Sequence, residues 1–383
     1  MDFAYNDEQV QLADSVRRWA ARDYGFEARR AIVAASDGMS EAAWRQIAEL
    51  GLTALPVPAA HGGFDGGALA MACVLQEFGR ALVVEPYFAT MLGAELLRRG
   101  GRHGALLERV AAGDLRLACA LGERAVRHDA RAIATEARPV DGGWTLHGRK
   151  TVVLHGAQAH VLVVSARLPG NDGRGEDGIA LFALPADSPG VTVTGYRTLD
   201  GQRAADVAFD GAAADAGALV GEAGRGWDVL EPALDYGAAL LCAESVGAME
   251  ALFDATLDYV KTRQQFGTPI GRFQALQHRM ADMYMHLEQA RSMALLAAVK
   301  VDGGDPDERR RAVSAAKYLV SKAARAVGQG AVQLHGGMGV TDELPASHYF
   351  KRLTAIGLTL GDADHHLARY IAADAQAQPS PVR

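Results

Sequence analysis

The sequence predicts a multidomain α+β protein: a helical N-terminal region, a small middle β domain and a C-terminal bundle of long helices. Three observations carry this. Apolar residues recur at helical spacing through the first ~115 residues, the period then falls to two with dense turn signals, and after Trp227 the helical period returns and persists. A length of 383 residues leaves room for two to three domains at roughly 150 residues each.

In chain order, Asn6 or Asp7 caps a first helix with apolar positions Val10, Leu12, Val16 and Trp19. A second helical pattern over residues 41–50 runs into Gly51 as its C-cap. Pro56, Pro58, Gly62, Gly63, Gly66 and Gly67 mark a long loop, and helical patterns resume over 69–79 and 88–99. From about residue 115, Val161, Val163 and Ser165 alternate with Leu162 and Val164, and Val191 to Thr194 is a β-branched run. Turn signals at 142–143, 169–173 and 188–190 separate such runs, which predicts a sandwich or barrel of about 100 residues. The Gly- and Ala-rich stretch 210–226 reads as the link to the next region. Beyond it, Val246, Met249, Phe253, Thr256 and Val260 form one stripe, Leu276, Met280, Met283 and Leu287 a second, and Val313, Ala316, Val320, Ala323 and Val327 a third. Helices with one apolar stripe each must bury it against one another, hence an antiparallel bundle. The expected domains are 1–114, 115–225 and 226–383.

With 49% hydrophobic and 22% charged residues the composition is ordinary for a globular chain, which excludes disordered and collagen-like classes. No uninterrupted apolar run approaches the ~18 residues of a membrane helix. The first ten residues lack the basic and apolar regions of a secretory leader, so a cytoplasmic protein without a membrane partner is expected. A net charge of −7 argues against nucleic acid. Cys73, Cys119 and Cys242 are scattered in apolar contexts and read as buried thiols in a reducing compartment.

Most familiar chemical motifs are absent. No Gly-x-Gly-x-x-Gly follows a strand, and no phosphate-loop, nucleophile-elbow or His-Glu-x-x-His pattern occurs. His365 and His366 are adjacent, about 100° apart on a helix, so they form no ligand pair and default to a surface or interface role. Two segments remain. Arg263-Gln264-Gln265-Phe266-Gly267 follows a helix, and an Arg beside a Gly turn can present its fork to a phosphate, with Phe266, Ile270 and Phe273 as an apolar wall. The same segment also reads as a plain helix connection with an exposed Arg. Gln333-Leu334-His335-Gly336-Gly337-Met338-Gly339 carries glycines that let a backbone approach a ligand, or that serve only an ordinary turn.

In this order, about 70 residues apart, the two segments resemble the acyl-CoA dehydrogenase family, and the resemblance covers essentially the whole chain. It implies an α-helical N-terminal domain, a middle β-barrel and a C-terminal four-helix bundle. It also implies FAD, an acyl-CoA substrate dehydrogenated between Cα and Cβ, an electron-transfer flavoprotein as partner, and a tetrameric assembly. In such enzymes a glutamate removes the α-proton and the β-hydride passes to the flavin. Each flavin lies across a dimer interface, its ring held by one chain and its ADP half by the other. Within the family the chain is most similar to the small, non-catalytic subunit of a heteromeric enzyme acting on dicarboxylyl-CoA.

Departures from the family pattern are ordered. Leu360 and Gly237 occupy the two positions from which members supply the base, and neither can accept a proton. The ring-contacting stretches read 121–129 and Val152-Val153-Leu154-His155-Gly156. Asp362 replaces a threonine that serves the FAD phosphates, where a carboxylate is repulsive. The ADP-side residues are kept: Arg263 for the pyrophosphate, Phe266, Ile270, Phe273 and Leu276 for the adenosine, and Gln333, Gly336 and Gly337 for closure by backbone approach. The expected role is therefore that of a subunit in an α2β2 tetramer, giving the ADP half of FAD to a homologous catalytic chain, with no catalytic or metal-binding residue of its own. The alternatives are a homomeric flavin enzyme, with a displaced base among Asp235, Glu244 and Asp364 or with different chemistry such as monooxygenation, and a flavin-free structural subunit. Gly237 and Gly247 are compatible with a widened bundle cavity or with close helix packing.

Overall fold

The computed structural model describes residues 5–125, 127–170 and 175–377. The elements run α1 (Asp7–Asp23), α2 (Phe26–Ala34), α3 (Glu41–Glu49), α4 (Ala68–Ala81), α5 (Tyr87–Gly100) and α6 (Gly104–Ala111). Strands β1 (Leu117–Ala120), β2 (Glu136–Val140), β3 (Gly143–Leu154), β4 (Val161–Arg167), β5 (Ile179–Pro185), β6 (Val191–Arg197), β7 (Arg203–Asp215) and β8 (Leu219–Val220) follow. The chain ends with α7 (Trp227–Thr262), a hairpin of β9 (Gln264–Gln265) and β10 (Thr268–Pro269), then α8 (Gln274–Val301), α9 (Pro306–His335), α10 (Pro345–Leu358) and α11 (Ala363–Ala377). By compactness these group into two units, one of Met1–Arg30, Ala68–Val83 and Asp235–Arg383, the other of Ala31–Gly67 and Val84–Leu234.

The second unit holds the sheet. Its pairing order is β6-β7-β3-β2-β4-β5-β8, with β1 added in parallel to β4. β4 is buried at every residue instead of alternating, as befits a strand covered on both faces of its sheet. The stretch read as a link is corrected: residues 210–215 continue β7, pair with β3, and bury Ala212 and Ala214. The Ala- and Gly-rich composition there mimics a linker. Part of the expected turn at 169–173 lies outside the described residues. In the core, the Lys150 Nζ donates to Glu123 Oε1 at 2.7 Å and Ser165 Oγ at 3.0 Å, and burial pulls this lysine down to about 8. The α3 end matches expectation, with Gly51 at φ 74° just past the C-cap Leu50.

The first unit holds the long helices. Asn6 caps α1 with a capping box, its side chain accepting the Gln9 N–H at 2.9 Å while Gln9 accepts the Asn6 N–H at 3.0 Å. α9 packs against α8, α10 and α11, and the third predicted stripe is buried at all five positions. α4 crosses α7 through glycines. A Cβ on Gly247 would lie 1.7 Å from the Gln76 carbonyl oxygen, and one on Gly79 would lie 2.0 Å from that of Glu244. Gly247 therefore serves close packing and widens nothing. α7 is long and apolar enough to cross a membrane, yet 89% of its most apolar window is buried inside the protein. Cys73 and Cys242 are buried, and desolvation raises their thiols to about 11 and about 12, so they stay protonated.

Candidate functional site

The segment after α7 is built as a tight projection. The Arg263 N–H still donates to the Tyr259 carbonyl at 2.8 Å, and the Ile270 N–H donates to the Arg263 carbonyl at 2.9 Å. Between them Gln265 pairs with Thr268, leaving Phe266 (φ 55°) and Gly267 (φ 77°) as a two-residue turn. Two positive φ values in succession mark a type I′ turn, whose first position favours Asn, Asp or Gly. A phenylalanine there costs about 1 kcal/mol of backbone strain. Its ring recovers little inside the chain: it is 91% exposed, and its one aromatic contact among the described residues is with Phe273, 6.0 Å away and edge-on. Backbone strain of this kind clusters at ligand clamps and switch regions. The Arg263 guanidinium is exposed and makes no hydrogen bond or ion pair among the described residues. Ile270 and Leu276 are half-buried beside it along the chain.

The second segment closes α9. Gly336 (φ 60°, ψ −140°) turns the chain in a conformation open only to glycine, its N–H donating to the Gln333 carbonyl. A Cβ on Gly336 or Gly337 would meet nothing within 4 Å, whereas one on Gly339 would lie 2.6 Å from the Val332 carbonyl oxygen. Two of these glycines thus border open space and the third serves packing. Gln333 is exposed and lines a groove of about 340 Å³ between α8 and α9, together with Arg279, Asp282, His286 and Gln329. The two segments are bridged by Tyr259, which stacks on His335 at 4.3 Å and 27°, with its hydroxyl 3.3 Å from the His335 carbonyl. An unpaired guanidinium, an open glycine turn and an apolar wall suit the diphosphate and adenosine half of a dinucleotide.

The positions expected to face the chemistry differ in kind. Leu360 stands between α10 and α11 at φ 54°. Lys317 Nζ donates to the carbonyls of Ile356 at 2.9 Å and Gly361 at 3.0 Å, and His366 Nε2 donates to that of Leu360 at 2.9 Å. Asp362 accepts the His365 N–H at 2.9 Å, so its carboxylate caps α11. The expectation of a surface role for His366 is corrected: it is 2% exposed, and burial first, then the Lys317 charge, depress it to about 3. Burial likewise lowers Lys317 to about 8. Gly237 is buried within α7. Of the nearby carboxylates, Asp235 accepts from Arg309 at 2.9 Å and from Arg369 at 3.0 Å. Glu244 is held by both arms of Arg352, at 2.6 and 2.9 Å. Their lone pairs are engaged by guanidinium groups, which disfavours proton abstraction from carbon. Asp364 is exposed in the first turn of α11.

At the positions expected on the ring side, Val152 is 60% exposed and Leu154 half-buried, and neither carries a hydroxyl. His155 faces Gln158 and Gln202, and Glu123 turns inward to Lys150. Sequence reasoning gave Tyr259 and His335 no role of their own inside the two segments, assigned His366 to a surface or interface, and passed over Lys317. Lys317 left no trace, whereas Tyr259 is an aromatic residue one helical turn before Arg263 and His335 lies within the Gly-rich segment.

Three family models, for the N-terminal, middle and C-terminal domains of acyl-CoA dehydrogenase, match residues 6–113, 118–211 and 224–373. The mouse mitochondrial short-chain specific acyl-CoA dehydrogenase is 30% identical over 324 residues, covering 82% of this chain and 77% of that one. Among solved structures, the ChsE4-ChsE5 complex from Mycobacterium tuberculosis aligns with TM-score 0.88 at 27% identity, over 99% of this chain and 100% of that one. The FAD complex of PigA aligns with TM-score 0.90 at 25% identity, again over 99% and 100%. FAD is the cofactor of these flavoprotein oxidoreductases. From its three matched domains and its fold, the chain belongs to the acyl-CoA dehydrogenase family.

Proposed function

We propose that this chain is a non-catalytic subunit of an FAD-dependent acyl-CoA dehydrogenase complex, holding the ADP half of FAD for a homologous catalytic partner. One asymmetry carries the reading. The residues suited to a dinucleotide diphosphate are open and unengaged, while the base positions are Leu360 and Gly237 and the carboxylates Asp235 and Glu244 are locked by arginines. When bound, FAD supplies the hydride acceptor for α,β-dehydrogenation of an acyl-CoA thioester. Arg263 neutralises the diphosphate, Gly336 and Gly337 admit it against their backbone, and Gln333 closes the site. Phe266, Ile270, Phe273 and Leu276 exclude water from the adenosine. The partner supplies the base and the ring contacts, in an α2β2 tetramer that acts in the cytoplasm and passes electrons to an electron-transfer flavoprotein. That the ChsE4-ChsE5 structure is a complex of two chains supports an assembly of this kind.

The test is co-expression with a homologous chain encoded beside it. A stable complex should carry flavin, visible in its absorbance, and Arg263→Ala should strip it by at least tenfold in affinity, as loss of a bidentate charge contact predicts. The chain alone should show no turnover with FAD across a broad panel of acyl-CoA thioesters. Turnover by the isolated chain, or full flavin retention by the Arg263→Ala complex, sinks the reading.

A further inference from the structure

We infer that the Tyr259–His335 stack is the positioning element that sets the span between the Arg263 turn and the Gly336–Gly337 turn, and so governs affinity for a nucleoside diphosphate without touching it. The inference rests on the ADP-holding reading of these two turns and names what aligns them. The turns end two different helices, α7 and α9, and one rigid anion can use both only if the helix ends keep a fixed separation. Tyr259 sits one helical turn before Arg263 and accepts its N–H at 2.8 Å, so any shift of Tyr259 is passed to Arg263 through the backbone. His335 sits two residues after Gln333 and immediately before Gly336.

The two rings lie 4.3 Å apart at 27°, a stacked arrangement, and the Tyr259 hydroxyl reaches the carbonyl of His335 itself at 3.3 Å. His335 cannot swing away: it is buried, and its Nδ1–H donates to the Ala331 carbonyl at 2.9 Å. The link therefore joins side chain to side chain and side chain to backbone, on the last residue before the glycine turn. It lies behind the exposed groups, with Tyr259 half-buried and His335 buried, while Arg263, Gln333, Gly336 and Gly337 are exposed. An aromatic pair so placed supplies rigidity, which raises affinity by lowering the ordering cost of binding.

ADP is the probe, titrated calorimetrically into the full chain, or into the complex if the chain purifies only with its partner. Tyr259→Leu should weaken ADP about tenfold, while Tyr259→Phe, which keeps the ring, should stay within about threefold. The rescue by phenylalanine is what a general loss of stability would not produce, since thermal unfolding without ligand is compared for both. If Tyr259→Leu fails to fold, His335→Leu against His335→Phe makes the same comparison from the other ring. Equal affinities in the leucine and phenylalanine variants overturn the inference, provided Arg263→Ala abolishes binding. ADP binding that is indifferent to Arg263→Ala instead overturns the reading of the site, and the positioning role falls with it.

Discussion

His366 offers a quantitative test of how the turn carrying Leu360 is held. The folded ring takes its proton only near pH 3, against 6.5 for an unburied histidine. Between those values the unfolded chain binds the extra proton, so stability falls as pH falls. From pH 7.5 to 4.5 the ring alone should cost the fold about 3 kcal/mol, two units of that interval lying below the unfolded value at about 1.4 kcal/mol each. His366→Gln retains an N–H donor for the Leu360 carbonyl and removes the titration. Urea unfolding of both proteins at pH 7.5 and 4.5, followed by far-ultraviolet circular dichroism, isolates the difference because every other titrating group is shared. Wild type should lose about 3 kcal/mol more than the variant over that interval. Equal losses would refute both the depressed titration and the burial from which it is argued.

Two further outcomes follow from the site geometry. Arg352→Leu leaves the buried Glu244 without its partner and should destabilise by about 3–5 kcal/mol, while the double replacement Arg352→Leu/Glu244→Leu should recover most of that loss in the same unfolding assay. Phe266→Asn places a preferred residue in the type I′ turn and should gain about 1 kcal/mol in thermal or urea stability, yet lower the flavin content of the co-expressed complex. A variant that loses stability would show that the strain is absent.

The sequence made the long helices legible because their stripes are unbroken: Val313 through Val327 bury as the spacing requires. The sheet was harder. Residues 210–215 look like a linker because alanine and glycine carry no alternation, and only their pairing with β3 reveals a strand. At the candidate site, Arg263, Phe266, Gln333, Gly336 and Gly337 stand out in the sequence as local motifs, but the Tyr259–His335 stack between the segments does not, since those two residues are 76 positions apart. Carboxylate availability was equally hidden. Asp235 and Glu244 look like free acids in one dimension, and their arginines come from residues 309, 369 and 352.

The crossing of α4 and α7 bears on how this chain can drift. Gly79 and Gly247 each fit against a carbonyl of the opposite helix, so a methyl on either must part the same two helices. Whichever glycine is lost first bears nearly the whole penalty. Once the helices have separated, the other is released from its constraint and becomes free to vary. Restoring the first alone then gains nothing, because the second has closed the way back. The pair behaves as a ratchet in sequence space, and homologues should hold both glycines or neither.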